Sequence, residues 1–199
     1  MVERHSVKRV QHPLVRREIT VLEAEWVAPG MRRLTFGAES LKEFESSAFD
    51  DHIKLFFTAD CNRDFTPRRF DRERGRLTVD FAVHPGGVAS DWAAGAAPGD
   101  ALLIGGPRGS TVVAEDFDWY WMIGDQTALP AIGRRLEEAA EGTPISTFVC
   151  LDQLEQRQMI STRAAWQAHW CLASDLRQTL RDQPLPAGDG LIWIAGENE

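Results

Sequence analysis

The stretch Trp119-Tyr120-Trp121-Met122-Ile123-Gly124-Asp125-Gln126-Thr127-Ala128-Leu129-Pro130-Ala131-Ile132 divides the chain into two kinds of structure. Its first five residues are a compact apolar run, as expected of a buried strand. Gly124-Asp125 ends the run, and from Thr127 to Ala140 the residues Leu129, Ile132, Leu136 and Ala139 recur at helical spacing. Pro130 falls in the first turn, where a missing N–H costs nothing. Further on, Ser146–Cys150, Ala165–Leu172 and Leu191–Ala195 read as buried strands and Ser174–Arg181 as a helix. Strands alternating with helices predict a parallel sheet with crossover connections.

Upstream the pattern differs. Short apolar and alternating runs at Ile19–Val27, Arg32–Phe36, His52–Phe57, Leu77–Val83 and Ala101–Ile104 are broken by turn residues, as in an antiparallel barrel. One helical stretch, Ala89–Ala97, precedes the turn Pro98-Gly99-Asp100. Charge shifts as well: residues 1–115 hold 16 Lys and Arg against 17 Asp and Glu, and residues 116–199 hold 6 against 13. The fold class is therefore a β-barrel plus α/β, with a barrel domain at 1–115 and a small parallel-sheet domain at 116–199. The last strand runs into Gly196-Glu197-Asn198-Glu199 and stops. Ligands of open α/β sheets bind beyond the carboxyl ends of the strands, so a functional loop and covering helix are expected there; either the second domain is truncated or that final helix is dispensable here.

Composition narrows the function. With 199 residues, 43% hydrophobic and 26% charged, the chain fits one or two globular domains. A net charge of −8 argues against nucleic acid and anionic membranes as partners. No apolar run approaches the ~20 residues that span a bilayer. The basic N-terminus has no apolar core behind it, so a cytoplasmic location is expected, without membrane insertion. Cys61, Cys150 and Cys171 are too few and scattered for a disulfide framework, and the five histidines lack ligand spacing. No protein-held metal is expected. The Walker A, G-x-S-x-G and G-x-G-x-x-G signatures are absent.

Three segments carry chemistry. Arg63-Asp64-Phe65-Thr66-Pro67-Arg68-Arg69 sets an aromatic beside a hydroxyl between guanidiniums. Extended, it would place Arg63, Phe65 and Pro67 on one face and Asp64, Thr66 and Arg68 on the other. Arginine forks suit a diphosphate, and a ring can cover a flat heteroaromatic. Alone, the segment reads as a solvated basic turn, since Arg72, Arg74 and Arg76 continue it. His84-Pro85-Gly86-Gly87-Val88-Ala89-Ser90 feeds a helix N-terminus, which is either a phosphate cradle or a turn with Ser90 as ordinary N-cap. Gly105-Gly106-Pro107-Arg108-Gly109-Ser110 reads by itself as a tight turn.

In this order the motifs become recognisable. The chain resembles the siderophore-interacting proteins, flavin-dependent ferric-siderophore reductases of the ferredoxin-reductase-like superfamily. The resemblance rests on His52-Ile53-Lys54-Leu55-Phe56-Phe57, Arg63-x-Phe65-Thr66-x-Arg68, Asp80-Phe81-x-Val83-His84, Gly87-Val88-Ala89-Ser90-x-Trp92 and Gly105-Gly106-Pro107-Arg108-Gly109. It continues through Gly124-Asp125-x-Thr127-Ala128-Leu129-Pro130-Ala131-Ile132 and Trp193-Ile194-Ala195-Gly196-Glu197.

The resemblance implies an FAD-binding barrel followed by an NAD(P)H-binding-like domain. FAD would be held by Arg63, Phe65, Thr66 and Arg68, by His84 with Gly87, Val88, Ala89 and Ser90, and by Asp125, Thr127 and Ala128. Phe65 stands where the family has tyrosine, which keeps stacking and loses the phenol. Lys54 is one of only three lysines against nineteen arginines and sits inside an apolar strand. By default such a lysine snorkels to water; the resemblance implies a cationic pocket for a ferric siderophore, with Arg134 as second member. NADPH or NADH would supply electrons, and no acid–base residue is required. A flavin- or siderophore-binding protein without reductase activity, and a ferredoxin-linked flavoprotein, are the competing expectations.

Overall fold

The alternation in the N-terminal half becomes an inside and an outside in the computed structural model, which describes residues 4–197. The first three residues of the basic N-terminal segment and Asn198-Glu199 lie outside the described residues. Strands β1 (Val7–Gln11), β2 (Arg16–Ala28), β3 (Met31–Gly37), β4 (Ile53–Phe56), β5 (Asn62–Phe65), β6 (Arg69–Asp71) and β7 (Arg76–Ala82) lead to helix α1 (Val88–Gly95). Strands β8 (Ala101–Gly105) and β9 (Gly109–Val113) follow. Seven of these strands form one antiparallel sheet in the order β5-β4-β8-β2-β3-β7-β6, and β1 pairs with β9. The thirteen-residue β2 serves two neighbours: Arg16–Thr20 pairs with β8 and Thr20–Ala28 with β3. Register shifts between Val21 and Glu23 and between Trp26 and Ala28 add the bend that curls the sheet.

The end strands of that order, β5 and β6, are consecutive in sequence and joined by Thr66-Pro67-Arg68. Covalent chain thus spans the gap that a hydrogen-bonded ladder would otherwise close. Inside lie Ile19, Leu34, Phe36, Phe44, Ile53, Leu55, Leu77, Val79, Phe81 and Ile104, all at most 1% exposed. Trp92 of α1 packs over this core, with ring centroids 5.7 Å from Phe57 and 6.2 Å from Phe81. Asp80 alternates with Val79 and Phe81 and points to the opposite face of β7, yet it is 2% exposed. Two arginines bury it: Arg33 donates to both carboxylate oxygens at 2.7 Å, and Arg68 Nε lies 3.6 Å away.

The second half holds β10 (Trp119–Gly124), α2 (Leu129–Glu138), β11 (Pro144–Leu151), β12 (Ala165–Leu172), α3 (Leu176–Arg181) and β13 (Gly190–Ala195). All four strands are parallel, in the order β12-β11-β10-β13. With neighbours on both sides, β10 is buried throughout, which explains its unbroken apolar run. Trp119, Trp121, Ile123 and Phe148 pack against Leu176 and Leu180 of α3. Gly124 has no room for a side chain: a Cβ there would sit 2.4 Å from Ala128 Cβ and 2.7 Å from the Ala195 carbonyl. The compact units run from Lys8 to Val112 and from Val113 onward, the latter taking in the N-terminal segment up to Val7. That segment is fastened by Ala114 N donating to Ser6 O and by the His5 ring stacked 4.1 Å from Phe117.

The expected strands and helices are present with shifted ends. Helix α2 begins at Leu129 rather than Thr127, because the Asp125 carboxylate takes the Thr127 and Ala128 amides into a turn. Strands β1, β5, β6 and β9 were not expected, being three to five residues long and too polar or glycine-rich to show alternation. No helix among the described residues is long and apolar enough to cross a membrane. Replacing Asp80 by alanine removes the carboxylate shared by Arg33 and Arg68, and is expected to destabilise the barrel by about 3 kcal/mol. Denaturant unfolding followed by tryptophan fluorescence reads this directly; an unchanged midpoint would contradict it.

Candidate functional site

On the barrel unit, the pleat of β4 decides which side chains meet solvent. Ile53 and Leu55 go inside, at 1% and 0% exposure, so His52 and Lys54 emerge on the outer face. Lys54 Nζ donates to Asp64 Oδ1 at 2.9 Å from the paired position on β5. Both side chains are about half exposed (47% and 49%), so the pair adds little stability and is readily displaced. Around it lies an open pocket of about 530 Å³, lined by Arg16, His52, Lys54, Phe56, Asp64 and Arg108 among others. That volume lies within the usual small-molecule range. The Arg16 guanidinium stands 5.0 Å over the Phe56 ring. Gly105 makes room for that ring, since a Cβ there would come within 3.3 Å of Phe56 Cε2. Arg16 carried no sequence signal for this role; only strand pairing through β8 brings it beside Lys54, whereas His52 shares that face through the pleat of β4.

The arginine-rich motif is split. Arg63 is exposed on the edge strand, its guanidinium donating to Asn62 O at 2.8 Å. Phe65 is half-buried, 4.6 Å from the Phe81 ring and 6.1 Å from Phe57, and Thr66 beside it is half-buried too. The expected alternation of faces stops with β5 at Phe65, because Pro67 and Arg68 are both buried in the link that crosses to β6. Arg68, 3% exposed, turns to Asp80, and its amide donates to Thr78 O at 2.9 Å.

The glycine turn is open. Gly86 adopts φ +87°, a left-handed value that favours glycine, with no atom within 4 Å of where a Cβ would sit. Gly87 occupies the N-cap of α1, so Ser90 does not. The Ser90 hydroxyl instead braces the turn, accepting from His84 N and donating to Ala82 O, each at 3.3 Å. The first helical hydrogen bond is Asp91 N to Gly87 O, so the Val88, Ala89 and Ser90 amides precede it, oriented as an anion cradle. His84 lies exposed beside them. An open glycine turn, amides at a helix start and an exposed arginine on a neighbouring strand are the donors that a diphosphate needs, and these residues fit FAD.

On the α/β unit, β10 is where the strand order reverses, with β11 on one side and β13 on the other. Ligands of such sheets bind at that point, beyond the carboxyl ends. Asp125 follows β10 there and uses both oxygens. Oδ1 accepts from Thr127 N at 2.8 Å, Thr127 Oγ1 at 2.6 Å and Ala128 N at 3.3 Å, while Oδ2 accepts from Glu197 N at 2.9 Å. It therefore ties together the loops after β10 and β13. Thr127 remains exposed and Ala128 is buried. Arg134 is 3% exposed on α2 and donates to Glu138 Oε1 at 2.7 Å. Burial, with added repulsion from Asp125, raises the Cys150 thiol pKa; burial also raises that of Cys171.

One constellation that sequence spacing hides is His12, Ser110 and Asp51. Ser110 Oγ donates to Asp51 Oδ2 at 2.6 Å and lies 2.7 Å from His12 Nε2. The serine has one proton, given to Asp51, so His12 donates from Nε2. Serine in the middle is the wrong order for a nucleophilic triad, in which histidine bridges serine and aspartate. The cluster instead ties the segment after β1 to the barrel.

Comparison with known proteins agrees with this architecture. Residues 20–63 and 59–111 match the model described as siderophore-interacting FAD-binding domain, and residues 117–199 match that described as siderophore-interacting protein. The chain is 37% identical to the NADPH-dependent ferric-chelate reductase of Escherichia coli over 96% of its own length and 86% of the relative's. It is 27% identical to the ferric vibriobactin reductase of Vibrio cholerae, covering 92% of this chain and 79% of that one. A siderophore utilization protein from T. fusca superposes with a TM-score of 0.89 at 28% identity, covering 96% and 85%. The chain belongs to the siderophore-interacting protein family, and its fold is the family's antiparallel FAD-binding domain followed by a parallel α/β domain.

A raised thiol pKa means less thiolate at a given pH, and thiolate is the reactive form. Iodoacetamide at pH 8 is expected to label Cys61 ahead of Cys150 and Cys171 in the native protein, with labelling of the latter two rising as pH increases. Equal labelling of all three, read by mass spectrometry, would contradict the burial.

Proposed function

We propose that this member of the siderophore-interacting family is an FAD-dependent reductase that passes electrons from NADPH to siderophore-bound Fe(III), releasing Fe(II) for iron acquisition. The observation that carries this reading is the 37% identity to an NADPH-dependent ferric-chelate reductase over 96% of the chain, which takes in both units. The chemistry a bound FAD supplies is conversion of a two-electron hydride donor into single electrons for iron. One NADPH thus reduces two ferric complexes. Hard oxygen ligands such as catecholates and hydroxamates hold Fe(III) far better than Fe(II), so reduction loosens the iron.

Each residue then has a task. Arg63 takes the diphosphate with its fork, and the Val88, Ala89 and Ser90 amides, freed by Gly87 and flanked by His84, take the same group. Phe65 offers an apolar face to the flavin, and Thr66 a hydroxyl to its edge. Arg68 supports both from beneath by holding the link between β5 and β6 against Asp80. Asp125 sets the loop bearing Thr127 and Ala128. Lys54 draws the anionic ferric siderophore to the barrel; on the α/β unit Arg134, buried and donating to Glu138, is the second cation proposed for that ligand. No side chain acts as acid or base. The reaction belongs in the cytoplasm, where NADPH is kept reduced; NADH and reduced ferredoxin are the alternative donors.

The test is the visible spectrum of the purified protein under anaerobic conditions, taken before and after NADPH and again after a ferric siderophore. The flavin band is expected to bleach and then return as ferrous iron appears, two per NADPH. Bleaching only by reduced ferredoxin would change the donor. Bound flavin that no donor bleaches would favour a binding protein without reductase activity, and a colourless protein that FAD cannot reconstitute would overturn the reading. Arg63→Ala is expected to weaken FAD binding by about tenfold or more, the loss of a charge-assisted hydrogen bond. Flavin retained at equilibrium dialysis measures this.

A further inference from the structure

The strap of residues 12–15 between β1 and β2 borders a second cavity of about 250 Å³, lined by His12, Arg17, Glu43 and Glu45 among others. It shares Val15 and Gly106 with the outer-face pocket, so the two are neighbours on the barrel unit. The His12 side chain is 4% exposed, and its Nδ1 is buried without a hydrogen-bond partner. The tautomer is fixed from the other side of the ring. Ser110 Oγ gives its proton to Asp51 at 2.6 Å and accepts from Ser47 N at 3.1 Å, so it also accepts the His12 Nε2–H at 2.7 Å. In the neutral ring Nδ1 therefore holds a lone pair. Facing it is Glu45, whose Oε2 lies 3.6 Å away, too far for a hydrogen bond. The other Glu45 oxygen lies 4.0 Å from Arg72 Nη1. Arg17, the buried cation of the cavity, donates to the Ser40 and Glu43 carbonyls. A lone pair and a carboxylate at this separation can bracket a metal ion: about 2.1 Å from each atom, the ion would subtend about 120° between them. The remainder matches a ligating histidine, whose second ring N–H is held by a hydroxyl backed by a carboxylate.

We infer that His12 Nδ1 and Glu45 form a binding site for a divalent transition-metal ion, and that the ion it takes is the ferrous iron set free at the neighbouring pocket. Imidazole with carboxylate suits Fe(II) and Zn(II), and disfavours Mg(II) and Ca(II), which prefer oxygen shells. Among the described residues no three His, Cys, Asp or Glu side chains converge on a metal. The site therefore has two protein ligands, and water completes the shell. Binding exchanges two waters of the hydrated ion for Nδ1 and Oε2, with no change of oxidation state. Glu43 lines the same cavity, and its charge offsets that of Arg17. Two ligands hold an ion loosely, which makes this a transfer site from which iron leaves as readily as it arrives. The identity of the ion rests on the reductase reading; the site itself does not.

The test is anaerobic equilibrium dialysis of the FAD-loaded protein against ferrous sulfate, with bound iron read by atomic absorption. One ion per chain is expected, displaced by Zn(II) and unaffected by a large excess of Mg(II). Glu45→Gln is expected to weaken Fe(II) binding about tenfold or more. It should leave the thermal midpoint of the metal-free protein unchanged, because the Glu45 side chain is 53% exposed. Ser110→Ala keeps both ligands but frees the ring to turn, and is expected to weaken binding about tenfold. Zn(II), as a diamagnetic probe, is expected to shift the His12 Nδ1 resonance of protein labelled with nitrogen-15 histidine. Fe(II) binding that survives Glu45→Gln unchanged, or Zn(II) that leaves the His12 resonance in place, overturns the site. The same preparation is assayed for NADPH-driven reduction of a ferric siderophore, which keeps the two readings apart. Reduction by a wild type that retains no added Fe(II) sinks this inference and leaves the reductase intact, whereas Fe(II) held at His12 without reduction does the reverse.

Discussion

Closure of the barrel depends on a buried carboxylate. The end strands of its sheet are joined by three residues of chain, and a link that short stays seated only if something holds it. Asp80 does so from the outer face of β7, with both oxygens engaged by Arg33 and with Arg68 of the link turned onto it. A carboxylate 2% exposed is costly unless its charge is answered, and two arginines answer it. The same arrangement shapes the arginine-rich motif. With Arg68 drawn under the surface, Arg63 is the exposed arginine of the pair, and Phe65 and Thr66 rest at the rim where the link begins.

The pleat that fills the core also builds the outer pocket. Ile53 and Leu55 must face inward, so Lys54 must face outward, and pairing with β5 and β8 sets Asp64 and Gly105 beside it. The core and the pocket wall are thus opposite faces of one strand. Gly105 leaves the space that Phe56 fills, and Phe56 supports Arg16. Arg16, Lys54 and Arg108 all stay in reach of solvent at this pocket.

In the α/β unit a similar economy operates at the end of β10. Gly124 brings α2 close to the sheet, and Asp125 converts the next amides into a turn before the helix begins. Because Asp125 also takes the Glu197 amide, loops following two different strands share one anchor. Such an anchor serves by positioning: its oxygens are occupied, and what it offers a ligand is the fixed placement of its neighbours.

The sequence by itself determined the two-part architecture, because burial on one face or two leaves a period that local reading detects. The alternation around Lys54 and the unbroken run Trp119–Ile123 are both of this kind. Which segments would carry the chemistry came from the resemblance of their order to the siderophore-interacting family, since the basic segment and the glycine turns each have an ordinary structural reading alone. Only the tertiary structure decided which arginine of the motif stays at the surface, where Ser90 spends its hydroxyl, and that Arg134 is tied to Glu138. It alone brought Arg16 and Arg108 to Lys54 across 38 and 54 residues of sequence. The reason is physical: strand periodicity is a local property written every second residue, whereas a charge's partner is set by strand order and register, which no single segment contains.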